Sequence, residues 1–184
     1  MQQNQKVYKM IVSALLCAIG IIIPLFAPKI ALGVMSFTLA SHVAIFIAMF
    51  ISPASAIFVS LGTTLGFLLT LPLPVVIRAL SHVIFATIGS FLIKKRPEIL
   101  NSVWKNVVFC LGIAVIHGIC ESLVAIPFFF GGQMQGSFLE AVIVTVGAGT
   151  VVHSCIDYII AILIWQPLKK TFRHNLTPSQ SASA

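Results

Sequence analysis

What this sequence most lacks is charge. Of its 184 residues only 8% are charged against 59% hydrophobic, and Asp and Glu together number four. A soluble domain carries about 25% charged residues. A water-facing surface cannot be built from so few, so most of the outside must face the lipid bilayer. Catalytic signatures are missing too. No G-x-x-x-x-G-K-[S/T] occurs, so the chain cannot hydrolyse ATP alone. No G-x-S-x-G occurs, and Ser41-His42 and Ser81-His82 are sequence neighbours that point to different helix faces. No catalytic residue is assigned, and the chain is not expected to be an enzyme. The four cysteines, Cys17, Cys110, Cys120 and Cys155, lie inside apolar runs. That placement favours packing and implies no disulfide framework. No helix carries a His pair at i, i+4, the usual contribution of one helix to a metal motif, so neither a metal nor another cofactor is expected.

What is present is a series of long apolar runs, with a mean hydropathy of +1.09. At about 20 residues per span the length allows roughly six crossings. The runs fall at 8–26, 36–51, 54–71, 75–93, 103–130 and 138–165. Ser52-Pro53 and Leu71-Pro72-Leu73-Pro74 read as tight turns, because proline cannot continue a helix. Lys94-Lys95-Arg96-Pro97 closes the fourth run, and 131–136 reads as a flexible polar loop. The predicted architecture is all-α: one six-helix transmembrane domain over 1–175, with a Ser-rich disordered tail over 176–184. The first run, behind Lys6 and Lys9, resembles a signal peptide but is expected to stay as a span.

The net charge of +7 suggests nucleic acid only until the charges are placed. They cluster between apolar runs, the pattern of topology signals. Six spans put Lys6, Lys9, Lys94, Lys95, Arg96, Lys105, Lys169, Lys170 and Arg173 on one side and Lys29 on the other. The positive-inside rule then places both termini in the cytoplasm, and no nucleic-acid partner is expected.

Charges inside spans are costly and mark function or pairing. This chain places Arg78, Glu121 and Asp157 inside spans four, five and six, and His42, His82, His117 and His153 inside spans two, four, five and six. Arg78 and His82 are four apart, as are His117 and Glu121, and His153 and Asp157. Each pair therefore shares one helix face, which should turn inward. With the expected topology these groups converge in the outer half of the bundle. Two readings stay open: a polar pocket for a ligand, in which Arg78 anchors an anionic or polar group, or mutual pairing that glues helices together. Small residues form a second set. Ala14 and Ala18, extended by Gly20, and Gly62 with Gly66 make small-xxx-small faces, suited to internal packing or to docking a partner helix.

Taken together, these features resemble the substrate-binding S components of energy-coupling factor (ECF) vitamin transporters. The size, six spans, cytoplasmic termini and basic tail are similar. So is A-x-x-x-A at Ala14 and Ala18, and so is the run from Ala40 to Pro53 followed by Gly62 and Gly66, which resembles the family's second and third spans. The resemblance covers nearly the whole chain and implies a multi-pass protein of the bacterial plasma membrane. It implies high-affinity binding of a small water-soluble vitamin or precursor, for ATP-driven uptake with a transmembrane coupling subunit and two ATPase subunits. Ala14 and Ala18 would contact the coupling subunit. The ligand would lie among Arg78, His82, His117, Glu121, His153 and Asp157, with the 29–35 loop as lid. Nicotinate, a pyridoxine- or hydroxymethylpyrimidine-like compound, and pantothenate are the candidates. Segments of the biotin and thiamin branches are not evident, and the N-terminal metal-binding His of the nickel and cobalt branch is missing from Met1-Gln2-Gln3. The alternative from another class is an autonomous ion- or proton-coupled transporter using the His–carboxylate pairs as relays.

Overall fold

The computed structural model describes residues 2–32 and 35–176. The expected tail lies outside them from 177 onward, as do Gly33 and Val34 of the expected lid. Six α-helices run in the order α1 (Gln2–Phe26), α2 (Val43–Ile51), α3 (Pro53–Leu68), α4 (Leu73–Lys95), α5 (Val103–Phe130) and α6 (Gly149–Leu176). A π-helical segment, Leu139–Ala148, leads into α6, and a 3₁₀ turn, Pro97–Asn101, joins α4 to α5. Strands β1 (Lys29–Leu32) and β2 (Met35–Thr38) pair antiparallel between α1 and α2, with Ile30 opposite Phe37.

Local sequence explains the element ends. Ser52 closes α2 by donating its N–H to Ala48 O and caps α3 by accepting the N–H of Ser55 on Oγ at 3.1 Å. Pro53 sits in the first turn of α3, where its missing N–H has no partner to lose. Pro72 and Pro74 likewise start α4, and Lys94 and Lys95 occupy its last turn, where the helix dipole favours cations.

Four helical stretches are long and apolar enough to cross a membrane: Gln3–Phe26, Leu73–Lys95, Val103–Phe130 and Leu139–Lys170. Their outward residues are apolar, as with Met10, Leu15, Leu123 and Leu163, each more than 60% exposed. The buried centre is α2. Val43 through Phe50 are all buried, and Phe46, Phe50, Phe85, Tyr158 and Trp165 form a chain of ring contacts around it.

The second predicted span is the main departure. A full helix over 36–51 was expected, yet only nine residues are helical, about 14 Å against a hydrocarbon core of about 30 Å. Residues 35–38 are strand instead, and Ala40 takes a left-handed φ of 64° in the turn between. Irregular backbone at membrane depth is tolerated only where it is buried in protein and its polar groups are satisfied. Asp157 on α6 supplies that satisfaction, accepting the N–H of Ala40 at 3.0 Å and of His42 at 2.9 Å. Among the described residues this hairpin is the one β element in an otherwise mainly helical fold.

The small-residue faces divide. Gly62 and Gly66 pack inward on α1: a Cβ on Gly66 would lie 2.7 Å from Ile21 Cα, and one on Gly62 would strike Cys17 Sγ. This is close helix approach within the chain. Ala14 and Ala18 face outward and are exposed.

At one end of the bundle, Lys9, the Ser52-Pro53 turn, Lys94 and Pro97 line a common cavity, and Lys169 meets Asn101. The hairpin closes the opposite end, above the polar side chains.

Candidate functional site

The polar faces of α4, α5 and α6 do turn inward, and they meet beneath the hairpin around two carboxylates. Glu121 on α5 is 4% exposed. Its Oε2 accepts from Arg78 Nη2 at 2.5 Å, Arg78 Nε at 3.2 Å and Thr150 Oγ1 at 2.6 Å. Its Oε1 lies 3.0 Å from His82 Nε2 and 3.3 Å from His117 Nε2. The second contact is a close approach without hydrogen-bond alignment, so His117 Nε2 is buried without a hydrogen bond, while its Nδ1 pairs with Ser154 Oγ at 3.2 Å. Helix α4 fixes its own contribution locally, with Ser81 Oγ donating to Arg78 O at 2.7 Å.

Asp157 on α6 is fully buried and differently partnered. Besides the two backbone N–H groups of the broken segment, Oδ2 pairs with His42 Nδ1 at 3.0 Å, and His153 Nε2 stands 3.4 Å away. The carboxylate also lies at the N-terminus of α2, where the helix dipole favours an anion. His153 Nε2 pairs with Ser41 Oγ at 3.2 Å.

All six site residues expected from sequence are therefore brought into two adjoining clusters: Arg78, His82, His117 and Glu121 in one, His153 and Asp157 in the other. His42 joins them. Its ring centroid lies 4.6 Å from His82, 4.7 Å from His117 and 4.9 Å from His153. The sequence places His42 inside the second span, but it has no charged partner four residues away to mark it as part of the site. Thr150 and Ser154 were missed as well. Their signal was available: 150, 153, 154 and 157 share one face of α6. Ser41 and Phe37 were out of reach, since only the hairpin and turn bring them in.

A cavity of about 20 Å³ lies between the clusters, lined on its polar side by Ser41, His42, Arg78, His82, Glu121, Thr150 and His153, and closed by Phe37, Phe67, Val75 and Ala79. That is room for about one water. Phe37 reaches over it from β2, its ring 5.7 Å from that of His153. Glycine permits this approach, because a Cβ on Gly149 would come within 2.9 Å of the Phe37 ring. Gly118 does the same for helix packing, where a Cβ would stand 2.8 Å from Gly147 O. A larger cavity of about 450 Å³ between α5 and α6 is nearly all apolar and contains none of these groups.

No protein-family model matches the chain, and no solved structure matches it. A curated relative does: the niacin transporter NiaX of Lactococcus lactis subsp. cremoris (strain MG1363) is 39% identical over 175 residues, covering 92% of this chain and 78% of the relative. The match spans most of both chains, and identity at that level shows the family. The chain is a multi-pass bacterial membrane protein and belongs to the family of this transporter, the S-component type of vitamin transporter.

Proposed function

We infer that this protein binds a pyridine carboxylate of the niacin class in the pocket beneath the hairpin, and presents it for uptake driven by an ECF coupling module. The observation that carries this reading is the buried Arg78–Glu121 pair ringed by His82, His117 and Thr150 next to a small cavity. Such a site offers a cation, hydroxyls and imidazoles, the donors a carboxylate and a ring nitrogen need. Phe37 and His153 supply flat faces for a planar ring. The cavity is smaller than any vitamin, so entry requires Phe37 and the hairpin to move outward, with closure sequestering the ligand. The relative is named a niacin transporter, which favours nicotinate over the pyridoxine-like and pantothenate alternatives. Arg78, His82, His117, Glu121 and His153 contact the ligand in this reading, while Asp157 holds the turn from which His42 and Ser41 project.

The proposed topology has six crossings, with β2 and α2 together forming the second, and both termini in the cytoplasm with the basic end. The exposed strip of Ala14 and Ala18 on α1 is the docking face for the transmembrane coupling subunit, which in turn carries two ATPase subunits. A cysteine at Gln133, in a Cys-free background, then reacts with an impermeant thiol reagent on intact cells. Labelling only after lysis contradicts the topology.

Equilibrium binding of labelled nicotinate to the purified protein in detergent, without ATP, tests the function. Saturable binding, displaced by unlabelled nicotinate but not by pyridoxine or pantothenate, is expected. Absence of nicotinate binding, or equal displacement by all three, rejects the assignment.

A further inference from the structure

Three imidazoles from three separate elements stand around one carboxylate oxygen. His42 comes from the turn before α2, His82 from α4, and His117 with Glu121 from α5. One donor atom from each of these four residues lies within 4.8 Å of all the others, and all four residues are buried. Two of the six edges, His82 Nε2 to Glu121 Oε1 at 3.0 Å and His117 Nε2 to the same oxygen at 3.3 Å, are close to the roughly 3.3 Å donor–donor edge of a tetrahedral zinc site with bonds of about 2.0–2.1 Å, and the others lie within 4.8 Å. The rings meet nearly edge to face rather than stacking on one another, with interplanar angles of 74°, 78° and 86° among the three pairs.

Two of the three imidazoles carry the outer partner that a metal centre requires, whereas His82 Nδ1 is buried without one. Metal-bound histidines usually give their second nitrogen to a carboxylate, hydroxyl or carbonyl, which fixes the tautomer and aims the first. His42 Nδ1 is held by Asp157 and His117 Nδ1 by Ser154 Oγ, so each ring keeps its other nitrogen for an ion. His117 Nε2 is fully buried with no hydrogen bond of its own. Glu121 divides its oxygens in the same sense. Arg78 and Thr150 occupy Oε2, leaving Oε1 toward the imidazoles. No helix needs a His pair here, because the three imidazoles come from three elements.

We propose that His42, His82, His117 and Glu121 form a binding site for one divalent ion of the zinc class. Imidazole and carboxylate donors suit zinc, cobalt, nickel and copper in preference to calcium or magnesium. The adjoining cavity, of single-water size, is where a fifth ligand would reach the ion on expansion to five-coordination. The ion with Arg78, set against Glu121 and Asp157, leaves one positive charge. A single carboxylate ligand neutralises it, and this last point alone rests on the vitamin reading above.

The test uses the full chain in detergent, stripped with a chelator and titrated with Co²⁺ alone, with no vitamin present. One Co²⁺ per chain is expected, with visible absorption bands of a low-coordinate nitrogen–oxygen site that Zn²⁺ abolishes. Loss of an outer partner lowers metal affinity about 10- to 100-fold. Ser154→Ala, which removes only a hydroxyl, should therefore weaken Co²⁺ binding by about 10-fold, and His117→Ala by more. If His117→Ala fails to fold, Ser154→Ala and the wild-type spectrum still decide. No stoichiometric binding, thiolate charge-transfer bands, or affinity unchanged in Ser154→Ala each overturns the site. Nicotinate binding to the stripped protein is measured separately, so the failure of one reading leaves the other standing.

Discussion

Glu121 and Asp157 invite comparison, because each is a buried carboxylate four residues after a histidine on its own helix. Sequence spacing makes them look alike; their partners do not. Asp157 takes two backbone N–H groups, from Ala40 and His42, together with the His42 ring. Glu121 takes only side chains: Arg78, His82 and Thr150, with His117 beside it. A carboxylate bound to backbone fixes where the chain goes, and its partners cannot be exchanged. One bound to side chains can trade them for a ligand. The comparison teaches that Asp157 builds the site and Glu121 serves it.

The largest effect that would break this comparison is expected at Asp157. Asp157→Ala strands the buried N–H of His42, the partly buried N–H of Ala40 and an imidazole where the second helix is interrupted. Removing one partner of a buried charged network costs about 3–5 kcal/mol. Thermal unfolding of the ligand-free protein should show that loss, with no second side-chain change restoring it. Stability within about 1 kcal/mol of wild type would mean the turn holds itself.

Arg78→Ala sharpens the other half. A charge-assisted hydrogen bond in a desolvated site contributes about 1.5–3 kcal/mol, and each 1.4 kcal/mol is tenfold. Nicotinate affinity should fall by about 10- to 100-fold, and Arg78→Lys should recover only part because the planar fork is lost. Unchanged affinity with a large loss of apo stability would make the arginine a partner of Glu121 and nothing more. The smallest effect on affinity is expected on α1, outside both centres. Ala14→Phe or Ala18→Phe should leave nicotinate binding within about twofold while abolishing uptake in cells that carry the coupling module, since bulk blocks close helix approach. Equal loss of binding would return this face to internal packing, as already holds for Gly62 and Gly66.

Much of this was legible in the sequence, for identifiable reasons. Scarce charges inside apolar runs must turn inward, so Arg78, His82, His117, Glu121, His153 and Asp157 could be named and do converge. Period 3.6 fixes which residues share a face and would also have yielded Thr150 and Ser154. What was not legible is where the second span breaks. Residues 36–51 read as one apolar run, and the feature that opens it is the carboxylate of Asp157, more than a hundred residues away. His42, Ser41 and Phe37 enter the site only through that break. Tertiary hydrogen bonding overrode a helical pattern, and periodicity carries no sign of such an event.

The central claim is that the side-chain centre is exchangeable and the backbone-bound centre is not. The most direct measurement removes the whole Arg78–Glu121 pair, as Arg78→Met with Glu121→Gln, and reads apo thermal stability and nicotinate affinity on the same preparation. Replacing both members of a buried ion pair is often neutral or stabilising, whereas removing one is not. The account predicts stability within about 1 kcal/mol of wild type and no detectable nicotinate binding. A protein that keeps its affinity, or that loses as much stability as Asp157→Ala, would contradict it.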